Sequence, residues 1–258
     1  MVEYATCFKV RSGYKTAVLV YGCNLHEERS RSIGLVYQKE LRYSTGTMDP
    51  LQIAMIVILI ISVVIHEMAH GFAADWLGDP TARLQGRLSP NPIVHLDPLM
   101  SVILPGLLIM SGSPILFGAA KPVPYNPYNF TNQKWGEAIV AAAGPASNIA
   151  LAIIFAMIVR FADALALSET FIVLAVQVII LNIFLAFFNL VPIPPLDGSK
   201  ILPRLLPYSA RMGYDRFRAF LEQNAFIGFG LVIFFFVVFL AEPLYRVTQI
   251  LTFWLIGA

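Results

Sequence analysis

His66-Glu67-Met68-Ala69-His70 sets two histidines and a glutamate at the polar end of an oily run that begins at Leu51. Four residues apart on a helix, the two imidazoles leave one face a turn apart and can grip a single ion. Glu67, one step round, can reach a water on that ion as general base. On a soluble helix the same pattern recurs by chance as ordinary surface residues. In a membrane-embedded helix that reading weakens, because each charged group there costs about 3 kcal/mol on insertion scales and tends to be functional.

A hydrolytic zinc site takes three protein ligands and keeps one position open. Imidazole and carboxylate donors also accept other divalent ions. The remaining histidines are His26, in an unusual N-terminal region, and His95, in a connector where a solvated loop position is expected. Among carboxylates Asp197 stands out, because "FFNLVPIPPLDGSKIL" closes an apolar helix with three prolines and then places Asp-Gly at the break. Prolines unwind the helix, and non-helical backbone at membrane depth is tolerated where it lines a cavity or is buried in protein. Asp-Gly also suits a turn that caps a helix at the surface, and the residues alone leave both roles open.

The elements that must carry these groups are membrane helices. Of 258 residues 57% are hydrophobic and 13% charged, against roughly 25% charged in ordinary soluble domains; mean hydropathy is +0.70. A net charge of +2, with basic residues scattered between oily runs, excludes a nucleic-acid partner. Cys7 and Cys23 fit no metal or disulfide framework. Leu51 to Leu77, Ala138 to Val159 and Phe171 to Val191 are long enough to span, and Ala225 to Ala241 is a short fourth candidate. Val247 to Ile256 is too short to cross alone and is expected at the interface. Proline-rich connectors separate the runs, and none is large enough for a separate soluble domain. The expected fold is an all-α polytopic membrane protein with about four to six transmembrane or re-entrant helices. It includes a proline-broken helix at the metal site and a small extended segment near Phe117 to Pro127. Residues 1–47 carry seven of the eighteen Lys and Arg residues and no signal-peptide pattern. They are expected to be an extension or a mis-called start ahead of a membrane-embedded domain at 48–258.

From about Met48 onward the chain resembles the site-2 protease family of intramembrane zinc metallopeptidases, in its compact prokaryotic form without a PDZ domain. The resemblance rests on "HEMAH", "FGAAKPVPYNP" at Phe117 to Pro127, "AGPASN" at Ala143 to Asn148 and "FNLVPIPPLDG" at Phe188 to Gly198, in that order. It implies that His66, His70 and Asp197 ligate one zinc ion and that Glu67 is the catalytic base. Asn189, eight residues before Asp197, matches an asparagine used near the substrate or the reaction intermediate. The implied activity is endopeptidase cleavage within or next to transmembrane helices, in regulated intramembrane proteolysis. The implied partners are a membrane-protein substrate helix and the lipid bilayer. The rivals are a metal-ion transporter or sensor and a catalytically silent scaffold. "GPASN" reads as close helix packing with Asn148 structural, and Lys121 as an interfacial residue in a segment that offers an edge to a substrate strand.

A shared ion constrains topology. His66, His70 and Asp197 must lie at one depth, so the helices starting near Leu51 and Phe171 should run parallel with Ala138 to Val159 returning between them. A full crossing by Pro98 to Met110 would break the parity, so that stretch is expected to be re-entrant or interfacial. Basic residues from Arg83 to Lys134 and from Lys200 to Arg218 would share one side, with Arg160 opposite. Charge bias then sets the site toward the cytoplasmic face of a prokaryotic inner membrane.

Overall fold

The computed structural model describes residues 50–97, 103 and 120–257. The extension at 1–47 lies outside them, as do most of Pro98 to Met110 and the start of the Phe117 to Pro127 segment. The described residues are helices joined by turns and extended connectors, with no β-strand among them.

The first helix, α1, is Pro50–Trp76, about 40 Å long at 1.5 Å per residue. A four-residue helix, α2 (Thr81–Leu84), follows. The second long helix is α3 (Gly136–Arg160), which continues through Pro145. Next comes α4 (Glu169–Asn189), whose first turn is capped by the Ser168 hydroxyl accepting from Phe171 N–H at 3.3 Å. Beyond the proline break lie α5 (Gly198–Leu205) and the amphipathic α6 (Tyr208–Gln223). The last run is α7 (Ala225–Phe235), a π-helical turn at Phe236–Leu240, and α8 (Ala241–Ile256).

Four helices are long and apolar enough to cross a membrane: Ile53–Trp76, Gly136–Arg160, Glu169–Asn189 and Phe226–Ile256. The last corrects one expectation, because Val247 to Ile256 is not a separate interfacial piece but the continuation of the Ala225 run. The π-turn precedes Pro243, whose ring removes a donor and crowds the carbonyl four residues back, and a widened turn there lets the helix continue.

α3 packs against both α1 and α4. Its contact positions are small, with Ala152 and Ala156 buried against Ile179 and Ile183, so the backbones approach closely. Leu251, Leu255 and Ile256 of α8 close over the same cluster. Ile53, Ile56, Val57 and Ile61 of α1, Ile153, Ile154 and Met157 of α3 and Phe234 and Val238 of the last run remain exposed, an apolar surface suited to lipid. Contacts fix the helix directions. His70 meets Val140 and His66 meets Asn148, so α1 and α3 are antiparallel. Ser62 meets Asn182, and farther along each chain His66 meets Asp197, so α1 and α4 run the same way.

Candidate metal centre

His66, His70 and Asp197 converge at one buried point, each less than 9% exposed. His66 Nε2 lies 3.0 Å from His70 Nε2 and 3.2 Å from Asp197 Oδ2, and His70 Nε2 lies 3.3 Å from the same oxygen. Ligand atoms about 2.0–2.1 Å from a tetrahedral ion stand roughly 3.3 Å from one another, so this triangle has the edge length of a zinc site. Both Nδ1 atoms face acceptors: Asn148 Oδ1 at 2.5 Å from His66 and the Val140 carbonyl at 2.7 Å from His70. With the ring proton held on Nδ1, each Nε2 offers its lone pair to the same point. The donor set therefore fits zinc.

Gly144 makes room for it. A Cβ there would stand 2.4 Å from His70 Nε2 and 2.5 Å from His66 Nε2. The reading of "GPASN" as close packing holds for Gly144 in an unexpected sense, since what packs against it is the pair of imidazoles. Asn148, read as structural, is fully buried and bonds His66 directly.

Asp197 is placed by the break after α4. The chain folds back so tightly that a Cβ on Gly198 would lie 2.1 Å from the Leu190 carbonyl oxygen, which only glycine permits. Ser199 then donates its hydroxyl to the Leu196 carbonyl at 2.7 Å. Asp197 opens α5 without capping it, so its carboxylate is left for the histidines. Below, Glu137 at the start of α3 pairs with Arg204 of α5 at 3.3 Å and with Arg218 of α6 at 2.5 Å, all three side chains largely buried. The Glu137 and Glu222 carboxylates outweigh the cost of burying Arg218 and hold its pKa above the usual arginine value. The pairs tie the aspartate-bearing helix to the histidine-packing one.

Glu67 accepts the Val123 N–H on Oε2 at 3.0 Å, while its other oxygen has no hydrogen-bond partner among the described residues. Val123 belongs to an extended connector that two buried charges hold at either end. Arg87, 5% exposed, donates to the carbonyls of Val94, Lys121 and Pro122. Asp79, fully buried, accepts from Asn126 N–H at 2.6 Å, Asn129 Nδ2 at 2.7 Å and the Thr81 hydroxyl at 2.6 Å. Burial pushes the Asp79 carboxyl up, but these hydrogen bonds outweigh it and hold its pKa below the ordinary carboxylate value. Lys121 itself is exposed, and its N–H donates to the His95 carbonyl at 2.8 Å. His95 is a correction: it is 2% exposed rather than solvated, because its ring donates to the Ser89 carbonyl at 2.8 Å inside the turn that Arg87 organises.

Among the described residues Asn189 makes no hydrogen bond to His66, His70 or Asp197; its amide donates to the Leu185 carbonyl at 2.9 Å in its own helix. The asparagine of α4 that joins the site is Asn182, which accepts from Asn148 Nδ2 at 2.7 Å. Its one signal in the sequence is an amide inside an apolar span, which it shares with Gln177, a placement that demands a partner.

Comparison with known proteins agrees with this geometry. The family model described as peptidase family M50 matches residues 158–235, which include Asn182, Asn189 and Asp197. YwhC of Bacillus subtilis, named as a candidate zinc metalloprotease, is 38% identical over 163 residues, covering 61% of this chain and 71% of the relative. The chain belongs to peptidase family M50. Rip2 of Mycobacterium tuberculosis, also named as a candidate zinc metalloprotease, is 34% identical over 178 residues, covering 64% of each protein. Zinc metalloprotease MJ0392 of Methanocaldococcus jannaschii is 24% identical over 160 residues, 62% of this chain and 36% of the relative. No solved structure matches. This M50 member is a multi-pass membrane protein whose candidate metal ligands are carried on one of its spanning helices, α1, and on the break that follows another, α4.

Proposed function

We propose that this M50 member is a zinc-dependent intramembrane endopeptidase that cuts within or next to the transmembrane helices of membrane-protein substrates, as in regulated intramembrane proteolysis. The observation that carries the reading is the buried triangle of His66 Nε2, His70 Nε2 and Asp197 Oδ2, with both Nδ1 protons committed elsewhere. One zinc ion held there would supply Lewis acidity and bring water into the range where it ionises near pH 7, about nine units below bulk water. Glu67 is the proton carrier: the carboxylate takes a proton from the attacking water and delivers it to the leaving amide nitrogen. Its Oε2 is fixed by Val123, which leaves Oε1 for that transfer. The scissile bond must leave its helix before attack, because a helical peptide hides its carbonyl in i to i+4 hydrogen bonds. The proline-broken loop before Asp197 and the connector around Val123 flank the site and are the surfaces we assign to the unwound substrate, with Asn189 at the end of α4 near its path.

A transporter or sensor needs ligands along a path, and the described residues hold one such group, His66 with His70 and Asp197. A silent scaffold has no use for Glu67. The deciding experiment incubates purified protein with a model transmembrane substrate and compares wild type with Glu67→Gln at equal zinc content. Cleavage by wild type and a loss of roughly 100-fold or more in the variant, the scale of general-base catalysis, is expected. Undiminished cleavage by Glu67→Gln would overturn the mechanism.

A further inference from the structure

Asn182 touches no ligand atom, yet it stands at the far end of hydrogen bonds that begin at His66. These bonds have a direction. The Val178 carbonyl can only accept, so the Asn182 nitrogen 2.9 Å from it is the donor end of that amide. The same nitrogen donates to Ser62 Oγ at 2.9 Å. Asn182 therefore turns its Oδ1 to Asn148 Nδ2 at 2.7 Å. Asn148 must then turn its own oxygen to His66, 2.5 Å from Nδ1. A carbonyl oxygen there calls for a proton on Nδ1, which leaves the lone pair on Nε2, the atom that faces Asp197 and His70.

A flipped Asn148 would instead present its NH2 to Nδ1 and favour the opposite tautomer, whose Nε2–H cannot ligate. Bulk solvent does not reach these amides to compensate, since Asn148 and Asn182 are fully buried and Ser62 is 2% exposed. His70 needs no such device, because its Nδ1 faces a backbone carbonyl directly.

We infer that Asn182 is a positioning residue for the metal centre: anchored by the Val178 carbonyl, it orients the Asn148 amide and so selects the His66 tautomer that binds metal. The inference rests on His66 being a ligand. It is tested by the zinc affinity of the full chain in detergent, measured by competition with a chromophoric chelator. Wild type binds zinc and His66→Ala loses it; zinc binding unaffected by His66→Ala would overturn the ligand reading and this inference with it. Asn182→Leu weakens zinc binding by about 10–100-fold, the usual effect of removing a group that orients a ligand. Ser62→Ala costs far less, because the Val178 carbonyl still fixes the amide. In an Asn148→Leu background Asn182→Leu costs nothing further, since it acts only through Asn148. Wild-type affinity in a folded Asn182→Leu protein, or the same loss in both backgrounds, overturns the inference. If that variant does not fold, 15N NMR of the metal-free wild type decides. A His66 ring proton on Nδ1 is the expected result, and one on Nε2 is the contrary one.

Discussion

At the scale of single residues, Gly144 shows how little space separates a ligand pair from a clash. Its missing Cβ would lie within 2.5 Å of both Nε2 atoms. Gly144→Ala is therefore expected to reduce zinc affinity at least 10-fold, the scale of disturbing a group that orients a ligand, while helix content by circular dichroism stays at wild type. Full zinc binding in this variant would show that the two imidazoles do not meet over Gly144. The candidate ligand residues were legible because His-x-x-x-His has helical spacing and because Asp197 follows a run of prolines that unwinds a helix. Gly144, Asn148 and Asn182 were not, since each acts through a contact between helices far apart in sequence. A small residue in an apolar span reads as packing whatever it packs against. His95 was misread because its ring turns back to the Ser89 carbonyl within its own loop and is buried there, which a connector's composition does not signal.

Among the elements, the connector from Lys121 to Asn129 draws much of its order from side chains outside it. Pro122 and Pro124, on either side of the Val123 that bonds Glu67, have no N–H to give, so neither can donate to a helix or a ladder. Arg87 and Asp79 hold the connector instead, at opposite ends. The lowered pKa of Asp79 makes part of this order dependent on pH. A carboxylate depressed on folding contributes stability that is complete above its unfolded value, about 3.9, and that drains away as pH falls through the lower folded value. Thermal stability in detergent should accordingly drop more steeply below about pH 4 in wild type than in Asp79→Asn, which is already weakened at neutral pH. Parallel curves for the two proteins would remove Asp79 from this role. The extended character of the connector was legible from its prolines. Its anchoring was not, because the anchoring groups sit more than thirty residues upstream.

For the whole molecule, a shared ion dictated that α1 and α4 run parallel with α3 between them, and the contacts place them so. Four spans were legible from hydropathy alone, except that the last was read as ending at Ala241, whereas the helix continues through the π-turn to Ile256. We propose, from the charge bias, that Arg204, Arg211, Arg216 and Arg218 face the cytoplasm and that the turn between Arg160 and Glu169 faces the opposite side. A cysteine placed at Ser209 should then be shielded from an impermeant thiol reagent in intact cells while one at Ala164 is labelled; the reverse pattern would invert the topology. The central claim is that three residues from two distant stretches of the chain hold one ion. Counting zinc per chain in purified wild type, His66→Ala, His70→Ala and Asp197→Ala tests it most directly. One ion in wild type and nearly none in each variant is the predicted result. A full complement retained by the Asp197 variant would contradict the site.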